Sequence, residues 1–200
     1  MVEMHALFAR HRYGVLSWDF RAHGESEGAL CTAGYFEALD VEAALDFALQ
    51  QPDVSWVGIW GGSMGGIAAI STAARRPEIR AVIIDSVPAN FAETVEITIR
   101  PAILRPFAIH VARLETGIDL ESIRPIKDIG RIAPRPLFII QGTGDQLIPI
   151  DSAQRLCNAS GQPCTLWIES DVRHLEMHQD RPIEYERRVI QFLDASQKKE

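Results

Sequence analysis

The chain has 200 residues, 46% hydrophobic and 24% charged, with a formal net charge of −7. Those proportions are those of a globular domain large enough to bury a core, and they exclude a disordered or fibrous chain. The acidic balance argues against nucleic acid or an anionic membrane as a partner, and no apolar run reaches the roughly 18 residues of a membrane span. Residues 1–14 lack the apolar centre of a secretory leader, so a cytoplasmic location is expected. Three cysteines are present. Cys157 and Cys164 flank a Ser-Gly turn and the start of a strand-like run, and all three are expected to be free thiols in a reducing compartment.

In chain order, residues 3–11 read as the end of a helix. Residues 13–19, YGVLSWD, read as a short apolar strand that ends on an acid, and the polar, Gly-punctuated stretch 20–28 as a loop. Residues 34–51 have helical spacing, with Phe36, Leu39, Ala43 and Phe47 on the apolar side and Glu37, Asp40, Glu42 and Asp46 between them. Residues 54–60 form a buried strand, the stretch GGSMGG a tight turn, and the Ala/Ile-rich run before Pro77 a helix. Residues 79–85, IRAVIID, give another buried strand. Residues 86–136 lack strand character and are broken by Pro88, Pro101, Pro106, Pro125, Pro134 and Pro136, which predicts several short helices. A strand over 137–141, a tight loop GTGD, a helix over 151–158 with Asp151 as N-cap, a strand over 165–169 and a helix over 182–195 complete the pattern. Strands alternating with helices predict an α/β domain with a mostly parallel sheet covered on both faces, formed by residues 1–200 as one unit.

The stretch 54–76, VSWVGIWGGSMGGIAAISTAARR, carries the chemistry. Its turn fits G-x-S-x-G, with Gly61, Ser63 and Gly65 in the fixed places. A strand that reverses into a helix within a few residues strains the central residue, and flanking glycines remove the Cβ atoms that would collide. Ser63 would then lift its hydroxyl from the carboxyl edge of the sheet, and the amide of Met64, at the helix N-terminus, would face an oxyanion forming there.

Four pieces in order make the chain resemble the α/β-hydrolase superfamily, in its serine esterase and peptidase-like branch. DFRAHGESEG (19–28) looks like the loop after that family's fourth strand, with Ala22 where a Gly is usual. GGSMGG is similar to the nucleophile elbow. GTGDQLIP (142–149) looks like the loop that carries the acid, and His174 follows the last strand as the family's base does. The order Ser63, Asp145, His174 is the family's order. The resemblance implies a doubly wound sheet of the α/β-hydrolase type with a helical cap, placed here at 86–136. It also implies a serine hydrolase acting on small carboxylic esters or other acyl substrates, with no cofactor and no metal. His174 would take the proton of the serine, because imidazole titrates near neutral pH, and Asp145 would orient the ring. Asp85 is the fallback acid.

Other readings stand beside this one. His174 and His178 lie four apart in HLEMH, a spacing that could bind metal on a helix, but the acid is displaced from the H-E-x-x-H pattern. His178 is therefore expected at the surface. His23 is expected to pack in its loop, and Arg21 and Asp19 to tie that loop down. The apolar side chains of 86–136 could line an acyl pocket or pack on the sheet. Finally, the family's sheet begins with three strands ahead of the one placed at 13–19, and its third lies between the fourth and the fifth. The resemblance thus implies a shortened N-terminus without the second oxyanion donor. The 13–19 and 54–60 strands would either pair directly or stand apart across a gap with unpaired backbone. A truncated or non-catalytic binding domain, or a peptidase or thioesterase on the same triad, are the alternative functions.

Overall fold

The computed structural model describes residues 2–161 and 163–198. Four parallel strands form one sheet in the order β1 (Val57–Gly62), β2 (Ile79–Asp85), β3 (Leu137–Gly142) and β4 (Cys164–Glu169). The helices are α1 (Val2–Arg10), α2 (Glu37–Leu49), α3 (Met64–Ala73), α4 (Phe91–Thr98), α5 (Arg105–Thr116), α6 (Pro125–Asp128), α7 (Ser152–Ala159), α8 (Met177–Asp180) and α9 (Pro182–Gln197). The period of two in β2 and β3 sorts their side chains to two cores. Val82, Ile84, Leu137 and Ile139 pack with Ile67 and Ile70 of α3 and Leu156 of α7. Ala81, Ile83, Phe138 and Ile140 pack on the other face with Met4, Tyr185, Val189 and Leu193 of α1 and α9. This is the α/β sandwich expected from the alternation of strands and helices, and it places every β-to-α turn at one edge of the sheet.

Residues between β2 and β3 form short helices, as the prolines predicted. Ile118, Ile123, Ile129 and Ile132 of this segment are core residues. In contrast, every residue of α5 keeps some exposure, and Ile103, Phe107 and Leu114 are 83%, 69% and 72% exposed. The apolar residues therefore divide along the segment: Val87, Ala89 and Val95 at its start are buried like the isoleucines of its end, and Ile103, Phe107 and Leu114 between them face outward.

Several expectations are corrected. Residues 13–19 form no strand. A cleft of about 870 Å³ separates them from β1, lined among others by Val15, Trp18, Trp56, Ile59 and Trp60. Of the two outcomes foreseen, the gap is the one observed. A β-branched, aromatic run becomes a strand only beside a partner, and β1 lies across the cleft. The enclosed indole nitrogens of Trp18 and Trp56 have no hydrogen-bond partner among the described residues. The central strand is displaced from 54–60 to Val57–Gly62, with an irregularity in its register at Val57/Gly58.

Helix α2 begins three residues later than predicted, because the buried Glu37 carboxylate turns back to accept from the Thr32 amide (2.7 Å), the Thr32 hydroxyl (2.6 Å) and the Gly34 amide (2.9 Å). Its buried face is Ala38, Val41 and Leu45, whereas Leu39 and Phe47 are exposed. Small side chains let α2 approach Ala68 of α3 closely, which the wider aromatic face would prevent. Cys157 and Cys164 are joined in a disulfide and are not free thiols. The turn between them brings the end of α7 beside the start of β4, with Cα atoms 5.9 Å apart, within bonding reach. The argument from thiols to a reducing compartment falls with them. Cys31 is free. Asp151 stands at the N-cap of α7 but makes no side-chain cap bond, and reaches Arg155 at 3.5 Å instead. No described helix is long and apolar enough to cross a membrane.

Candidate active site

The turn from β1 into α3 holds Ser63 at φ 51° and ψ −122°, a positive φ that a residue with a Cβ adopts only under constraint. The constraint is visible. The Ser63 amide donates to the Asp85 carbonyl at 2.9 Å, tying the turn to the end of β2. A Cβ at Gly61 would lie 2.5 Å from the Gly65 carbonyl oxygen, and one at Gly66 would lie 2.2 Å from Val87 Cγ2. Only glycine fits at those two places. Met64 opens α3, so its amide belongs to the first turn, whose N–H groups lack intrahelical acceptors.

Asp145 and His174 come from two loops laced together beyond β3 and β4. Thr143 N donates to Glu169 O (2.8 Å), Gly144 N to Val172 O (3.0 Å) and Asp171 N to Thr143 Oγ1 (3.0 Å). The fit is tight, since a Cβ on Gly142 would stand 2.1 Å from the Val172 oxygen. Asp145 is enclosed, with its side chain 0% exposed. One carboxylate oxygen accepts from the amides of Leu147 (2.8 Å) and Ile148 (3.0 Å). The other accepts from Gln141 Nε2 (3.2 Å) and lies 2.7 Å from His174 Nδ1. Burial acts to raise the Asp145 pKa, but the His174 bond and the two amides outweigh it and hold the carboxyl below its usual range.

His174 Nε2 stands 3.0 Å from Ser63 Oγ. With Asp145 as an acceptor, the proton on neutral His174 belongs on Nδ1. Its Nε2 is then free to accept from the serine hydroxyl. The His174 side chain is 20% exposed, so the ring is not sealed from solvent. Residues 63, 145 and 174 are thus brought together, in contact and in the order a proton relay requires.

Other candidates lie elsewhere. His178 is not a surface residue: its Nδ1 lies 3.1 Å from the Leu175 carbonyl and its ring packs edge-on against Tyr185. Since α8 begins only at Met177, His174 and His178 share no helical face, and Glu176 pairs with Arg173 at 2.7 Å. Among the described residues no cluster of His, Cys, Asp and Glu could hold a metal. Arg21 grips Asp40 through contacts of 2.6 to 3.1 Å, and His23 Nδ1 rests on the Arg21 carbonyl, so both serve the loop. The edge cleft includes none of the three relay side chains in its lining. Sequence reasoning missed Gln141, a fully buried amide that supports Asp145; a polar residue inside the apolar run LFIIQG was its signal.

A family profile described as alpha/beta hydrolase fold matches residues 2–108. The chain is 28% identical over 197 residues to the uncharacterized protein YqkD of Bacillus subtilis, an alignment that takes in 94% of this chain and 64% of that one. It is 27% identical over 187 residues to YfhR of Escherichia coli K12, covering 90% of this chain and 60% of that one. It therefore spans about three fifths of the length of these curated relatives. Among solved structures it resembles the Pyrococcus furiosus esterase Pf2001, with TM-score 0.81, 27% identity, and coverage of 98% of this chain and 76% of that one.

Proposed function

The chain belongs to the alpha/beta hydrolase fold family, and from that premise we propose that it is a serine hydrolase that cleaves small carboxylic esters through an acyl-enzyme. The observation that carries the proposal is the contact pair on one imidazole, 3.0 Å to Ser63 Oγ and 2.7 Å to Asp145. The Pyrococcus furiosus protein that it resembles is an esterase, which supports the ester over other acyl groups.

In this reading Ser63 Oγ bonds to the acyl carbonyl carbon while its proton passes to His174 Nε2. Asp145 keeps the ring in its working tautomer and stabilises the imidazolium. The Met64 amide, at the positive end of α3, donates to the oxyanion. Collapse of the tetrahedral intermediate breaks the bond to the alcohol, which leaves with the proton from His174. A water molecule, deprotonated by the same nitrogen, then attacks the acyl carbon, and the carboxylic acid departs as Ser63 regains its proton. The chemistry calls for no cofactor. Residues 86–136 act as the cap, and the exposed Ile103, Phe107 and Leu114 supply apolar surface for an acyl group.

A fluorophosphonate probe should label the protein on Ser63 and should leave Ser63→Ala unmodified. A folded sample that resists the probe and fails to turn over p-nitrophenyl acetate would instead support a domain that binds without catalysis.

A further inference from the structure

The proton relay leaves one ionisable side chain at its edge without a task. Asp85, the last residue of β2, is 1% exposed. Its Oδ1 accepts from the Ser86 hydroxyl at 3.0 Å, and its Oδ2 from the Tyr185 hydroxyl of α9 at 3.4 Å. The Tyr185 oxygen in turn accepts from Trp60 Nε1 of β1 at 2.9 Å. Because the Ser86 proton is committed to Asp85, a lone pair of Ser86 Oγ remains for the Leu175 amide, which donates to it at 3.3 Å. Leu175 follows the base directly. Meanwhile the Asp85 carbonyl receives the Ser63 amide. The end of β2 therefore holds the nucleophile turn through its backbone and the base turn through a side chain. Ser63, Ser86 and Leu175 all sit at positive φ, 51°, 56° and 59°, so the grip is placed where the backbone has most reason to relax.

We propose that Asp85 is a positioning residue for this site: through Ser86 it fixes the Leu175 turn that aims His174 at Ser63, and its buried charge steadies the imidazolium formed at each proton transfer. The proposal rests on the serine-hydrolase reading above. A buried carboxylate is a costly way to fill space, and an apolar or amide side chain of similar volume would pack Tyr185 and Trp60 more cheaply. The ionisable groups facing it are Tyr185 from α9, His178 from α8 and His174 from the loop after β4. Burial lifts the Asp85 pKa to about 6, against the pull of Ser86, the two histidines and Tyr185. At pH 7 to 8 it is thus an anion that accepts from both hydroxyls.

The test compares the full chain with Asp85→Asn and Ser86→Ala, measuring melting temperature, fluorophosphonate labelling, and kcat and KM for p-nitrophenyl acetate from pH 5 to 9. Asp85→Asn should melt at pH 8 at or above the parent temperature. Its kcat should fall by ~10–100-fold with KM little changed, the pattern of misplaced reacting groups. Its acid limb should move to lower pH, since the imidazolium loses a neighbouring anion. Ser86→Ala keeps the carboxylate but removes both bonds of the tie from Asp85 to Leu175, so its kcat should fall while the acid limb moves less than in Asp85→Asn. A folded Asp85→Asn with parental kcat and parental acid limb overturns the proposal. If Asp85→Asn does not fold, a parental kcat in Ser86→Ala overturns it. A parent protein that the probe does not label overturns the hydrolase reading itself, so the two failures are distinguishable.

Discussion

Asp145 and Asp85 both lie near His174, and their surroundings push the two carboxyls in opposite directions. Asp145 is held below its usual range, so the stability it contributes is present above its unfolded value near 3.8 and is lost as pH falls through the folded value. Asp145→Asn should flatten the decline in melting temperature between pH 5 and 3. The same change leaves His174 in the wrong tautomer and should cut kcat by ~10⁴, read with p-nitrophenyl acetate. Asp85 has the reverse sign. Its folded pKa, about 6, lies above the unfolded 3.8, so its protonated form favours folding below pH 4 and that advantage disappears as pH rises through 6. The loss is on the order of 3 kcal/mol for a shift of this size in a fully buried group. Melting curves at pH 4.5 and 7.5 should therefore show Asp85→Asn gaining on the parent at the higher pH. A gap between the two proteins that does not widen with pH would remove this assignment.

At the scale of elements, the elbow separates the glycines its motif treats alike. Gly61 has a backbone oxygen where a Cβ would go, whereas the nearest heavy atom to a Cβ on Gly65 is Phe20 Cε2 at an ordinary 3.6 Å. Gly61→Ala should abolish probe labelling or folding, and Gly65→Ala should melt within a few degrees of the parent. The segment between β2 and β3 divides in the same manner. Ile132→Ala removes a fully buried side chain and should cost roughly 2–5 kcal/mol. Phe107→Ser with Leu114→Ser touches an exposed face and should stay within about 1 kcal/mol, as chemical denaturation can check.

What the sequence made legible follows the same division. The strand, elbow and helix around Ser63 could be read because local backbone chemistry dictates them, and β2, β3 and β4 because each is an apolar run beside a partner. Residues 13–19 have the same composition and form no strand, since pairing depends on what lies alongside and composition does not record it. The buried face of α2 was misplaced because Glu37 is buried only by virtue of Thr32 and Gly34, a local bond that hydrophobic spacing cannot see. The Cys157–Cys164 bond depended on the meeting of α7 and β4.

For the whole molecule the consequential feature is the asymmetry of the sheet. β2 and β3 have neighbours on both sides, and the residues of β3 are all buried. β1 is an edge strand whose outer side faces the cleft of about 870 Å³, yet Ser63 follows directly at its end. An open edge exposes alternate N–H and C=O groups to water and to other chains, while the interior strands exchange only on larger openings. In native-state hydrogen exchange, the outward amides of β1 should therefore exchange orders of magnitude faster than those of Ile83, Ile84, Ile139 and Ile140. The fast amides should alternate along the strand, because successive groups point to opposite sides. Slow exchange along all of β1 would mean that the edge is covered in solution, by reclosure of residues 13–19 or by another chain. A repeat at tenfold dilution separates the two, since only cover supplied by another chain is lost with concentration.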